Sequence, residues 1–152
     1  MKTLWPTNFQ TKSISDTKSI LEKQARALPD LTNNLVWAEV SEVSPQLISN
    51  EMRNDFVYRF DIYGKELKNY RYTMLTFSHD IGLFPVKFSL DNILAEEIGL
   101  ETSPFAPPLA ITTESDLDEF IAMALQSKRV SNVIGSIMHL SKQSIAARDR
   151  IS

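Results

Sequence analysis

The sequence predicts an α+β protein in which a four-stranded, mostly antiparallel sheet is covered on one face by helices. Residues 55–90 contain three short runs of alternating apolar and polar side chains, separated by short connections, as in an antiparallel meander. Apolar residues recur at helical spacing near the N-terminus and again after residue 113. A chain of 152 residues with 43% hydrophobic residues is large enough to bury a core of its own.

Four strands are predicted from the period-2 alternation of β-forming residues. They lie at 35–43, 55–63, 70–79 and 84–90. Short connections join the last three strands, which favours hairpins between them. One face of this sheet is expected to bury against helices, because an isolated meander is only marginally stable in water.

The other face of the sheet is predicted to be at least half solvated, because charged and polar side chains lie among its aromatic rings. Strict alternation places Leu75 and Phe77 on this polar face. We therefore predict an interaction surface of six residues: Trp37, Arg59, Tyr63, Arg71, Leu75 and Phe77. Aromatic and arginine side chains are enriched among the residues that contribute most to protein interfaces.

The helices are predicted from apolar stripes and from the residues that begin or end them. The N-terminal helix is expected at 13–28, and Pro29 should end it. A short helix-like run follows at 91–98. A helical pair is expected at 113–149, and its second helix should begin near Ser127. The N-terminal helix and this pair would cover the sheet.

We interpret the whole chain, 1–152, as a single domain. Its first segment, 1–12, is expected to be loosely structured. A Pro-rich strap at 100–112 would join the sheet to the helical pair in extended conformation. Phe105 is expected to fix this strap by filling part of the core.

Charge is segregated along the chain, whose net charge is −3. Residues 91–127 contain eight acidic residues and no lysine or arginine, whereas residues 128–152 contain five basic residues and one acid. The two segments would either pack together and neutralise each other or form a surface that selects partners by charge. An acidic chain lacks the basic footprint of proteins that bind nucleic acids by bulk charge.

The composition also restricts location and chemistry. No apolar run approaches the roughly 20 residues of a membrane span, and the N-terminus lacks the apolar core of a signal peptide. We therefore expect a cytoplasmic protein. The absence of cysteine excludes disulfides, thiol catalysis and zinc sites built on thiolates. No pattern in the sequence predicts a cofactor.

One candidate anion site precedes the last helix. Ser127 is a suitable N-cap, and Lys128 and Arg129 would lie in the first turn of that helix. Free backbone N–H groups at a helix start, together with two cations, favour a phosphate or carboxylate. The alternatives are that the last helix begins elsewhere, or that these cations offset the acids of the preceding helix.

No catalytic constellation is predicted. His79 and Asp80 are adjacent at a strand end, but neighbouring strand residues point to opposite faces, which weakens a general-base pairing. The two histidines, His79 and His139, have no ligand spacing between them.

Two functions follow from these patterns. The first is a non-enzymatic interaction or regulatory module that binds a protein partner, or a second copy of itself, through the polar sheet face or the acidic helical pair. The second is a binding protein or enzyme for a small anionic ligand, with a cleft between sheet and helices and Arg59, Arg71, His79 or Lys128 as ligand contacts.

Overall fold

A computed structural model describes residues 2–151, without the side chain of Ile151. Met1 and Ser152, the ends of the predicted domain, lie outside the described residues. The helices are α1 (Thr17–Leu31), α2 (Asn92–Glu97), α3 (Glu114–Leu125) and α4 (Lys128–Ile151). The strands are β1 (Val36–Glu42), β2 (Phe56–Gly64), β3 (Arg71–His79), β4 (Val86–Leu90) and β5 (Leu109–Ile111). Short 3-10 turns occupy Pro45–Leu47 and Asn50–Met52.

The strands form a single meander in which each strand pairs antiparallel with the next, in the order β1-β2-β3-β4-β5. The predicted α+β class and the antiparallel sheet are confirmed. The number of strands is five rather than four, because part of the predicted Pro-rich strap pairs with β4 as β5. Pro107 and Pro108 lie immediately before this short edge strand, where a missing backbone donor costs little.

A β-bulge in β3 changes which side chains face the helices. Phe60 pairs with Leu75 and Asp61 pairs with Thr73, so Met74 has no partner on β2. One extra residue reverses the alternation of the strand. Leu75 therefore lies on the same face as Phe60, and not on the face of Thr73.

The helices cover one face of the sheet, as predicted. On that face the core combines Leu21 of α1 and Val130 of α4 with buried side chains of the strands. The ring of Phe120 on α3 packs against that of Phe88 on β4, with centroids 4.6 Å apart. None of the described helices is long and apolar enough to cross a membrane.

Gly64 allows α4 to approach the end of β2 closely. A Cβ atom at this position would lie 2.7 Å from Cγ2 of Ile137 and 3.1 Å from Cδ1 of Leu67. Both distances are shorter than ordinary van der Waals contact, so a side chain here would push the helix or the turn away. The missing side chain thus sets the spacing between α4 and the turn that joins β2 to β3.

Two local predictions are wrong. The first helix continues through Pro29 to Leu31. Pro29 lies in the last turn, where proline removes only one backbone hydrogen-bond donor and few helical residues follow it. Phe105 does not fill the core: it is 94% exposed. The strap is already fixed by the pairing of β5 with β4, so it needs no buried aromatic residue.

Candidate functional site

The sheet surface opposite the helices is hereafter called the open face. Its members on the first three strands are Trp37, Glu39, Ser41, Arg59, Asp61, Tyr63, Arg71, Thr73 and Thr76. Within residues 2–151 no helix packs on this surface, but the loop between β1 and β2 covers one corner of it. There Asn54 hydrogen bonds to Ser78, and Lys87 Nζ donates to the backbone oxygen of Glu51.

A buried carboxylate lies at the centre of the open face. Asp61 is 0% exposed. Its Oδ2 atom accepts a hydrogen bond of 2.6 Å from Arg59 Nε, and its Oδ1 atom accepts one of 2.7 Å from Thr73 Oγ1. The hydroxyl of Tyr63 donates to Oδ2 at 3.4 Å. Asp61 is therefore satisfied from three sides and holds its neighbours in fixed orientations.

Asp61 orients the guanidinium of Arg59. The Arg59 side chain is 30% exposed and donates to Asp61 through Nε alone. Its terminal nitrogens form no hydrogen bond with another described residue. Because the guanidinium is a rigid fork, fixing one side leaves the other directed at whatever approaches the open face.

An aromatic stack lies beside this cluster. Trp37 and Tyr63 are paired across β1 and β2, and their rings stack with centroids 5.6 Å apart at an angle of 17°. Burial raises the pKa of the Tyr63 hydroxyl, and the charges of Asp61 and Glu39 raise it further. The hydroxyl therefore remains a donor throughout the neutral range.

Two exposed charges flank the stack. Arg71 lies opposite Tyr63 in the β2–β3 register, and Glu39 lies opposite Asp61 in the β1–β2 register. Neither side chain forms an ion pair with another described residue. The open face thus combines two arginines, a stacked tryptophan and tyrosine, and one glutamate.

Four of the six residues predicted for the interaction surface lie together on the open face: Trp37, Arg59, Tyr63 and Arg71. The prediction for Leu75 and Phe77 is wrong, because the bulge at Met74 turns both toward the helices. They are 1% and 0% exposed, respectively, and belong to the core.

The start of α4 carries the three residues predicted to bind an anion. Ser127 Oγ accepts from Val130 N at 3.2 Å, in the manner of an N-cap. The N–H groups of Lys128 and Arg129 donate to the two carboxylate oxygens of Glu97, both at 2.8 Å. In the structure, the anion at the start of α4 is therefore the Glu97 carboxylate of α2, and these hydrogen bonds connect α2 to α4.

Arg129 also forms an ion pair that extends away from the helix start. Its Nε atom donates to Asp91 Oδ2 at 2.7 Å, and its guanidinium lies over the ring of Tyr72 at 5.3 Å. Burial alone would raise the pKa of the Asp91 carboxyl, but the Arg129 guanidinium and the Tyr72 hydroxyl hold it below its ordinary value. Asp91 in turn raises the pKa of Arg129.

A concave groove of about 640 Å³ lies between the β2–β3 turn and α4. Leu67, Lys68, Asn69 and Tyr70 of the turn line one side of it. Arg129 and further residues of α4, both polar and apolar, line the other side. The cleft predicted between sheet and helices had Arg59, Arg71, His79 or Lys128 as its ligand contacts, and none of these four residues lines this groove.

His79 is buried in the sheet. Its ring packs against those of Phe56 and Tyr58, with centroids 5.4 and 6.1 Å away. Its Nδ1 atom lies 2.7 Å from the backbone oxygen of Asp80, whereas the Asp80 carboxylate accepts from Asp55 N. In the described part of the chain, no three His, Asp or Glu side chains are grouped to hold a metal ion.

No protein-family model matches this sequence, and neither a curated protein nor a solved structure is significantly similar to it. Function is therefore inferred from the residues and their geometry alone.

Two features of these sites were missed from the sequence. The role of Asp61 as a buried centre has no local signal, because the residue looks like any polar position of an amphipathic strand. The groove beside α4 had a local signal: Leu67 is apolar in an otherwise polar turn, three residues after Gly64. An apolar turn residue close to a glycine indicates that another element packs there.

Proposed function

We propose that this protein is a non-enzymatic interaction module that binds a protein partner through the open face. The observation that carries this proposal is the fully buried Asp61, which fixes Arg59 beside the Trp37–Tyr63 stack on an uncovered sheet surface. A protein gains little stability from burying a carboxylate, because desolvation opposes the attraction of its partner. Stability therefore does not explain why Asp61 is buried, whereas the orientation of binding groups on the open face does.

The residue types of the open face support protein binding. Tryptophan, tyrosine and arginine contribute most of the energy at protein interfaces, and they do so best when they are held rigid before binding. The Trp37–Tyr63 stack offers apolar area, while Arg59 and Arg71 offer charged donors. Thr73 and Asp61 support this arrangement from below through their hydrogen bonds.

The charges favour a partner that presents a carboxylate next to an apolar side chain. The carboxylate would accept from the free side of Arg59 or from Arg71, while the apolar group would cover the Trp37–Tyr63 stack. Asp61 has no exposed surface and is engaged by three donors, so it is unsuited to proton transfer with a bound molecule. This is why the proposal is a binding function rather than catalysis.

The acidic helical pair is a weaker candidate for the same function. Glu114 and Asp116 lie in the first turn of α3, behind the N-cap Thr113. The positive end of the helix dipole stabilises acids at these positions without any partner. Helix formation therefore accounts for this acidic cluster, whereas it does not account for the open face.

The proposal is tested with a matched pair of charge reversals. Arg71→Glu changes the open face, whereas Arg26→Glu makes the same change at an exposed position of α1, on the helical side. Immobilised wild type and both variants are incubated with native lysate, and retained proteins are quantified by mass spectrometry. We expect one protein to be retained by the wild type and by Arg26→Glu but not by Arg71→Glu.

The interaction is then measured with purified partner by calorimetry. We expect Arg71→Glu to weaken it by about 2 kcal/mol or more, the loss typical of a central interface residue. If folded Arg71→Glu and Trp37→Ala variants retain the partner as the wild type does, the protein does not bind it through the open face.

A further inference from the structure

The groove between the β2–β3 turn and α4 has an apolar floor. Leu67, Val133 and Ile137 form this floor, and Leu140 borders it. Val133 and Ile137 are buried, so the floor is part of the core surface rather than a mobile patch. Gly64 brings Leu67 and Ile137 together beneath the groove, which gives it a fixed depth.

The rim of the groove is polar and cationic. Lys68 and Arg129 line it, together with the side-chain amides of Asn69 and Asn132, and no aspartate or glutamate does so. Lys68, Asn69 and Asn132 form no side-chain hydrogen bond or ion pair with another described residue. Polar side chains that line a concave site and have no internal partner are available to a ligand.

We propose that this groove binds a small amphiphilic anion, namely a carboxylate joined to an apolar body. The volume of about 640 Å³ falls within the usual range of small-molecule sites. The lack of any acid in the lining, in a chain of net charge −3, selects a negative group at the rim. The floor of Leu67, Val133 and Ile137 would bury the apolar body.

Within this site Lys68 supplies the free charge. Arg129 is already engaged by Asp91 at 2.7 Å, so part of its charge is offset. The carboxylate would therefore be held by the Lys68 ammonium, with the Asn69 and Asn132 amides as further donors. The site is separate from the open face, and the two proposals succeed or fail independently.

Three probes separate the chemistry of the ligand. Decanoate carries both the charge and the apolar body, decanol carries the body alone, and acetate carries the charge alone. Binding to the full chain is followed by calorimetry and by amide chemical shifts. We expect decanoate to bind and to shift the amides of Lys68 and Asn132, decanol to bind at least about five-fold more weakly, and acetate not to bind.

Variants locate the site. Lys68→Gln removes the proposed charge, and Lys65→Gln makes the same change in the same turn but outside the groove lining. We expect Lys68→Gln to weaken decanoate about five-fold and Lys65→Gln to leave it unchanged. Ser136→Phe places a ring in the groove from an exposed position of α4 and should abolish binding.

The proposal is overturned if decanoate does not bind, if folded Ser136→Phe binds it as the wild type does, or if Lys68→Gln and Lys65→Gln behave alike. Decanol that binds as tightly as decanoate would equally overturn it, since the charge would then have no role. Should Ser136→Phe fail to fold, Lys68→Glu decides, because it lies in an exposed turn and should weaken decanoate more than Lys68→Gln does.

Discussion

Replacement of Arg59 by methionine tests whether Asp61 depends on its ion pair. Methionine keeps the apolar stem but removes the guanidinium that donates to Asp61 at 2.6 Å. A carboxylate that is 0% exposed then retains only hydroxyl donors from Thr73 and Tyr63. Breaking a buried ion pair by removing one partner costs about 3–5 kcal/mol, because the remaining charge stays desolvated.

The expected cost is smaller here, because the Arg59 side chain is 30% exposed and water can enter where it stood. We expect Arg59→Met to lower the free energy of unfolding by about 2–3 kcal/mol. In a protein of this size such a loss lowers Tm by roughly 4–12 °C. Urea denaturation at neutral pH and thermal melting, both followed by circular dichroism, measure it.

Replacement of the other partner, Asp61, should lower the free energy of unfolding by less. Asp61→Asn leaves a guanidinium that can turn to water, so we expect a loss of about 1–2 kcal/mol. The double variant should lose less than the sum of the two single changes, since the second substitution removes a group already left without its partner. Arg71→Met is the matched control, because Arg71 is an exposed arginine of the same face, and it should change stability by less than about 0.5 kcal/mol.

If Arg59→Met destabilises the protein no more than Arg71→Met does, Asp61 does not depend on its ion pair with Arg59. The same conclusion follows if Asp61→Asn costs more than Arg59→Met, since the carboxylate would then depend on the hydroxyl donors rather than on the guanidinium.

Two further predictions concern packing and pH. Gly64→Ala should destabilise the protein by about 1–3 kcal/mol in urea denaturation, because the new methyl group would lie 2.7 Å from buried Ile137. Gly135→Ala should instead stabilise α4 by about 0.5–1 kcal/mol, because the space around Gly135 is open. Asp91 has a folded pKa below its ordinary 3.8, so its stabilisation is present above that value and is lost as the pH falls through the folded pKa. Asp91→Asn should therefore lower stability near neutral pH, where Arg129 loses its partner, and flatten the decline in acid, as measured by unfolding across pH 2–7.

Controls for these two predictions lie elsewhere on the surface. Asp118→Asn makes the same change of charge at an exposed position of α3 and should leave the acid decline as it is in the wild type. An unchanged decline in Asp91→Asn would contradict the role given to the Asp91–Arg129 pair. A Gly64→Ala variant as stable as wild type would mean that α4 shifts freely, contrary to the close approach at Ile137.

The elements of the fold were predictable because each has a local pattern. In β2 the apolar residues Tyr58, Phe60 and Ile62 alternate with Arg59 and Asp61, and α3 and α4 have apolar stripes at helical spacing, so the spacing indicates which side packs in the core. The one-sided cover of the sheet follows from the polar side chains of Arg59 and Arg71. These patterns depend only on neighbours in the sequence.

The errors arise where distant residues decide. In β3 the adjacent apolar residues Met74 and Leu75 interrupt the alternation, but the sequence does not show which of them is the extra residue. The pairing of Asp61 with Thr73 and of Phe60 with Leu75 identifies Met74. Distant residues also decide the role of Glu97, whose carboxylate meets the start of α4 across some thirty residues of intervening chain.

The position of α4 in the chain has a consequence for synthesis on the ribosome. The strands pair with sequence neighbours, so the meander can assemble as it emerges. Its apolar side, however, is sealed by α4, which packs back onto β1 and β2 and is translated after them. Until α4 has left the exit tunnel, Phe60 and Ile62 of the nascent sheet lack the cover that this helix provides, and transiently exposed apolar surface of this kind promotes aggregation.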